Sequence, residues 1–459
     1  MTAALKILFV GLHDSPHTAR WIEMAADLGY DLHLFPVEPG PPHHKVRNLT
    51  LYVPVSDVFA SRKGFRRNRA WARVVSLLRL VRSDPGEIFR RFRKTISGRS
   101  AATVLNALPP AFDAVSSGVQ IRYLPVSDII GKVPRSTETT RLGRADESDR
   151  TALQTHGPDV LASLIRELKP DLIHSMEFQH SAYLVLAARD RISEPFPRWL
   201  ATNWGSDIFY FGRQPDHARQ IRRVCEAIDL YSCECHRDLA LGRKFGYRGP
   251  DLPVLPNSGG IDIEHVLSLR DAAPPSQRKL IMVKGYDHFA GRAMISLAVL
   301  ERFAAQLRDY TIVLFSVGAR PHARALQLAN AGTLNIKIIG WAPHDEILRH
   351  FGNARIYLGI SISDAISTSV LEAMAMGAFP IQTDTSCCAE WFIDGKTGFA
   401  VSPEEFETIC ARFGTALTDD ALVDSAAAKN LEIIESRLAV EVIRPQMGNF
   451  YRQAIPQTK

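Results

Sequence analysis

The chain has 459 residues, 46% hydrophobic and 23% charged, with a formal net charge of +6. That length exceeds one ordinary domain and suits two of roughly 200 residues, each with a sizeable core. No apolar run approaches the ~18 residues of a membrane span, which excludes an integral helical membrane protein.

In chain order, "KILFVG" predicts a strand, "LHDSPHTA" a loop, "RWIEMAADLGY" a helix and "DLHLFP" a second strand. His13 and Asp14 follow the first apolar run directly and no small-residue cleavage pattern is evident. The run therefore reads as a strand and not a signal peptide, and the expected compartment is the cytoplasm. Short continuous apolar strands fit a parallel sheet covered on both faces.

Phe59 to about Arg150 reads as an insertion on this first domain. Between Ser61 and Ser100 stand thirteen Lys/Arg against two acids, Asp84 and Glu87, a local +11 on an otherwise slightly acidic chain. Phe65, Trp71, Leu77 and Leu80 interleave with the arginines. A basic amphipathic helix of this kind suits the surface of an anionic membrane, so Arg62–Arg99 predicts peripheral contact at the inner face of the plasma membrane. The bland alternative is a solvated arginine-rich face. No reader motif accompanies the charge, and no nucleic-acid partner is expected.

Strand-like runs resume with "DLIHSM", "RWLATNW", "LYSCEC" and "LPVLPN". Residues 257–278 are Gly/Pro/Ser-rich, as a linker should be. A second domain over 279–435 repeats the grammar with "KLIMVKG", a helix in "RAMISLAVLERFAAQL", then "TIVLFSVG", "IKIIGW", "RIYLGIS", "FPIQTD" and "GFAV". The expected class is α/β: two facing doubly wound domains, 1–256 and 279–435, with 436–459 a C-terminal helix crossing back to the first. Ligands in such sheets bind outside the carboxyl ends of the strands, here in the cleft between the domains.

The six cysteines, Cys225, Cys233, Cys235, Cys387, Cys388 and Cys410, include no C-x-x-C pair. C-x-C and C-C spacings do not resemble a structural zinc site, so packing thiols are the expectation, with no metal and no cofactor.

The most informative stretch is "SISDAISTSVLEAMAMGAFPIQTD", Ser361–Asp384. Two readings fit its helix. Ser369-Val-Leu-Glu372 matches a capping box, with Gly377 closing the helix. Alternatively, the helix start after "RIYLGIS" offers its N–H groups to a phosphate, and Glu372 accepts hydrogen bonds from ribose hydroxyls. The spacing Asp364-x7-Glu372 then puts one acid on the loop and one on the helix, a layout for a nucleotide diphosphate sugar.

This stretch, with "GWAPHDEILRHFGNARIYLGIS" before it and "AEWFIDGKTGFAV" after it, resembles the group 1 (GT4-type) glycosyltransferases. The resemblance implies the GT-B fold of two Rossmann-like domains and metal-independent transfer with retention. "LPNSGGID" is similar to the family's interdomain "PNGVD" and "NWGSDI" to its "HGSD" segment. It further implies that Asp364 lies by the transferred sugar and Glu372 on the ribose. Ser367, Thr368, Ser369 and Val370 are the other expected donor-binding residues, and the nucleotide sugar is a co-substrate. Asp364 is one methylene shorter than the family's usual Glu, and Ala365-Ile366-Ser367 replaces its "GFG".

"MVKGYDHFAGRAM" supplies Lys284 and Arg292 as the cationic pair the family sets on the leaving diphosphate, in altered order and spacing. Without the resemblance, Arg292 is an exposed residue at a helix start. On the acceptor side the resemblance implies the glycine-bearing loop after strand one, hence Gly11, His17 and Arg20, for the last two of which a surface role fits equally. "DLIHSMEFQH" is similar to the family's "H.H" segment, with Met176 at the second His and Glu177 or His180 as substitutes. Gly205 and Asp207 complete the acceptor side, a helix N-cap being the alternative for Asp207. The implied setting is surface polysaccharide or glycolipid assembly on a saccharide or lipid-linked acceptor. The rivals are a nucleotide-sugar 2-epimerase of the same fold and a non-catalytic nucleotide-sugar-binding protein.

Overall fold

The computed structural model describes residues 4–55, 117–126, 129 and 145–455. The basic segment Arg62–Arg99, and with it the expected membrane contact, lies outside the described residues. The chain divides into two compact units, Met1–Leu200 and Ala201–Lys459.

Seven strands build the first sheet: β1 (Lys6–Gly11), β2 (Asp31–Pro36), β3 (Thr50–Val55), β4 (Gln120–Pro125), β5 (Leu172–Met176), β6 (Arg198–Thr202) and β7 (Leu230–Ser232). Their order is β4-β3-β2-β1-β5-β6-β7. β1 pairs in parallel with β2 on one side and β5 on the other, Ile7 standing opposite both Leu32 and Leu172. Ile7, Leu8, Phe9 and Val10 are fully buried, the state a continuous apolar run requires when both faces of a strand are covered. Strand order reverses between β1 and β5, so their carboxyl ends flank a crevice.

The second sheet lies wholly in the second unit: β8 (Leu280–Lys284), β9 (Thr311–Phe315), β10 (Ile336–Ile338), β11 (Ile356–Gly359), β12 (Phe379–Thr383) and β13 (Phe399–Val401). Its order is β10-β9-β8-β11-β12-β13, all neighbours parallel. Ile281, Val283, Ile312, Leu314, Ile356 and Leu358 form the middle of its core. The chain winds outward from β8 to β10, then returns to place β11 on the other side of β8. The switch point therefore lies between β8 and β11, and β11 leads into the helix Thr368–Met376.

Three sequence expectations change. "LPVLPN" forms no strand, because Pro253 and Pro256 lack the N–H groups a ladder needs, leaving an isolated bridge between Tyr231 and Asp251. Within the expected insertion, Gln120–Pro125 is the edge strand β4, paired with β3. Its Ile121 and Tyr123 stay exposed, as an outermost strand permits. The helix Ala145–Leu168 likewise begins inside the segment read as an insertion. Among the described residues no helix is long and apolar enough to cross a membrane.

Candidate functional site

The carboxyl end of β8 delivers Lys284. Its Nζ donates to Ser367 Oγ at 3.0 Å and stands 4.6 Å from the centre of the Tyr286 ring. Burial alone would lower this ammonium's pKa. The Tyr357, Asp364, Tyr286 and Glu372 side chains outweigh that and hold it above the ordinary lysine value. Tyr357, on β11, is fully buried, and burial pushes its phenol up to about 12 despite Lys284, so it stays neutral.

The helix Thr368–Met376 begins beside this cation. Its N-cap is Ser367, in extended backbone, and the Ser367 side chain caps no helical N–H but accepts from Lys284 instead. The capping box of Ser369 and Glu372 is not formed: the helix starts two residues earlier than that reading needs. Glu372 instead accepts from His344 Nε2 at 2.7 Å, its side chain about 10% exposed. Gly377 does close the helix, with φ 82°, and its N–H reaches Ala373 and Met374. A positive helix end, a lysine and a carboxylate one turn inside thus share the switch point.

Asp364 is partly buried on the loop before the helix. Its Oδ1 accepts from the Ala365 N–H at 2.9 Å, and its backbone carbonyl accepts from Arg237 Nη2 at 2.7 Å. Arg237 also donates to Thr385 O and pairs with the fully buried Asp238, which holds Asn203. This network fixes the path of the loop. Arg292 sits at the N-cap of the helix Ala293–Arg302, where its Nη1 donates to the carbonyls of Phe289 and Gly291 at 3.2 and 2.8 Å. Its guanidinium therefore stabilises the 288–291 loop, while its backbone N–H binds Ile360 O.

The remaining expected residues of this unit are Gly205 and Asp207. Gly205 has φ 78°, and a Cβ there would overlap the backbone of Ala365, so both conformation and space demand glycine. Asp207 Oδ2 accepts from the Trp204 N–H at 2.9 Å, a turn-holding contact.

In the first unit, Gly11 ends β1 against Met176, the last residue of β5, with 3.4 Å left for a Cβ. Ser15 caps the helix Pro16–Ala25 by accepting from His17 N–H, which places His17 and Arg20 on its first turns. Glu177, with φ 71°, turns its carboxylate onto the N–H groups of His180 and Ser181 at 2.7 and 2.6 Å and lies 3.3 Å from His180 Nδ1. Glu177 and His180 are thus brought together, with the carboxylate capping the following turn. His174, between Phe9 and Trp21, is a core imidazole whose pKa burial lowers to about 3.

Sequence reasoning missed His344, Arg237 and Tyr357. It also passed over the stacked pair His43 and His44, 4.2 Å apart. Burial, then His44, Lys45 and Arg20, takes His43 down to about 4. The "HHK" run was a visible signal; nothing in the sequence links position 344 to position 372.

Residues 285–419 match the family described as Glycosyl transferases group 1, and residues 149–232 match Glycosyl transferase 4-like. Both matched segments are thus glycosyltransferase domains. No curated protein matches it in sequence. In fold it is similar to a sucrose-phosphate synthase from Thermosynechococcus elongatus, at 14% identity and TM-score 0.61 over 98% of both chains. A glycosyltransferase from Rickettsia africae is similar at 12% identity and TM-score 0.57 over 99% of this chain and 100% of the other. Anabaena HepE in complex with UDP-glucose is similar at 14% identity and TM-score 0.57 over 98% and 100%. The two parallel sheets of this chain are those of the GT-B fold.

Proposed function

We propose that this glycosyltransferase moves a sugar, with retention, from a nucleotide diphosphate sugar to a hydroxyl of a saccharide or lipid-linked acceptor. The setting we infer is surface polysaccharide or glycolipid assembly. One observation carries the donor reading. Lys284, held as a cation, meets the N-terminus of the Thr368–Met376 helix at the switch point, with Glu372 one turn inside. That is a site for a diphosphate flanked by a ribose.

In this reading the diphosphate lies against Lys284 and the helix start formed by Ser367, Thr368, Ser369 and Val370. Lys284 and Arg292 stabilise the charge that develops on the leaving diphosphate, without a divalent cation at that position. Glu372 receives the ribose hydroxyls and Asp364 faces the transferred sugar. Gly11, His17, Arg20, Glu177, His180, Gly205 and Asp207 belong to the acceptor side. Arg62–Arg99 would dock the enzyme at an anionic membrane.

Thermal unfolding with UDP, GDP and ADP sugars tests the reading. A donor at 100 times its dissociation constant adds about 2.7 kcal/mol of stability. A donor that stabilises the protein should also be turned over with an acceptor to an α- or β-linked product of unchanged anomeric configuration. Stabilisation by no nucleotide sugar, or an inverted product, would refute it.

A further inference from the structure

Cys235, Cys387 and Glu390 come from segments more than 150 residues apart, yet their ligand atoms all lie within 4.8 Å of one another. Cys235 is fully buried and Cys387 nearly so, packed together with Ala365, the residue after Asp364. Glu390 closes the cluster on the solvent side. Its carboxylate accepts from the His236 N–H at 3.0 Å and lies 2.8 Å from His236 Nδ1. The His236 side chain is largely exposed.

We propose that Cys235, Cys387 and Glu390 bind a single zinc ion, with the fourth position opening toward solvent beside His236. Two thiolates and a carboxylate form an S/O set suited to zinc. Sulfurs bound to one tetrahedral zinc stand about 3.8 Å apart, so the ligands need only small inward rotations. Two thiolates, a carboxylate and Zn²⁺ carry one net negative charge. The His236 N–H orients the carboxylate from outside, as partners of metal ligands commonly do.

The bland alternatives are two packed thiols or a disulfide. Neither gives Glu390 a part, yet its carboxylate stands within 4.8 Å of both sulfurs. Zinc binding releases the protons of both thiols. The ion would clamp the start of the His236–Lys244 helix to the 387–390 turn. Because Cys387 N–H binds Ala365 O, the clamp would also fix the chain that follows Asp364.

The test starts with full-length protein purified without added metal or chelating resin and analysed for zinc by mass spectrometry. The expected result is close to one zinc per chain, retained by Cys225→Ser and lost from Cys235→Ser and Cys387→Ser. Glu390→Gln, a near-surface change that spares the fold, should weaken Zn²⁺ binding by 10-fold or more. Co²⁺ added to zinc-stripped wild type should give a thiolate-to-cobalt charge-transfer band together with tetrahedral visible bands. Chelation of wild type should expose Cys235 and Cys387 to alkylation, a readout that requires no variant to fold. Three results would each overturn the proposal: no zinc or cobalt bound while all six thiols are free, a Cys235–Cys387 disulfide in the mass map, or a bound cobalt without thiolate bands.

Discussion

Replacing Lys284 by Met removes the cation and keeps most of the stem. In the folded protein the side chain donates a hydrogen bond to Ser367 Oγ at 3.0 Å and makes a face contact with Tyr286. Losing that bond costs stability about 1 kcal/mol, partly offset because a half-buried ammonium no longer has to be desolvated. If Lys284 meets the departing diphosphate, its charge contributes most when negative charge builds there. Loss of one such donor lowers kcat by about 100- to 1000-fold, or roughly 2.7–4 kcal/mol. Catalysis should therefore suffer well beyond the fold. Steady-state kinetics with the donor identified by thermal shift, beside thermal unfolding of the same variant, separates the two. The pKa of Lys284 is raised in the folded state, so its stabilisation is complete below the unfolded value of about 10.4 and fades as pH rises through the higher folded value. Wild-type turnover should then show no loss from Lys284 deprotonation between about pH 7 and 10. Wild-type kcat in Lys284→Met, or a rise in KM alone, would refute the assignment, since a contact used equally in ground and transition states changes only KM.

Glu372→Gln leaves an acceptor for His344 but weakens the hold on ribose hydroxyls. Calorimetry should show donor affinity reduced by more than ~1 kcal/mol with little change in unfolding temperature, and a 2′-deoxyribose donor should discriminate against wild type more than against the variant. Gly205→Ala forces a side chain into left-handed backbone and into Ala365, and should cost on the order of 2–3 kcal/mol in thermal unfolding; an unchanged melting temperature would deny the close approach. The basic segment predicts sedimentation with anionic liposomes at low salt, released at high salt, with no binding to neutral ones; equal binding to both lipids, or none to either, removes the membrane contact.

Much of the architecture was legible because it is written in local pattern. "KILFVG", "KLIMVKG" and "RIYLGIS" are apolar runs too short for helices and bounded by loop residues, and each became a central strand. Gly377 was legible for the same reason, since a helix end in left-handed backbone favours glycine. β4 was not, because "QIRYLP" has the alternation of an edge strand, which needs no apolar run and sits in a polar neighbourhood. "LPVLPN" erred the other way: its apolar residues are right, but two prolines deprive it of a ladder.

The site shows where local pattern stops. The two readings of Glu372 use the same residues, and the spacing Ser369-x-x-Glu372 cannot separate them. Strand order removes the capping reading. β8 and β11 are neighbours only because the chain, after winding out to β10, returns across the sheet. That return sets Lys284 beside Ser367, residues 83 positions apart in the sequence. Once Ser367 answers Lys284, it becomes the N-cap, the helix begins two residues before Ser369 is reached as a cap, and Glu372 is released from capping to face His344. Cys235 and Cys387 follow the same logic: each looks like a packing thiol until tertiary structure sets them side by side. The residue types were readable in the chain, whereas their partners are a property of the topology.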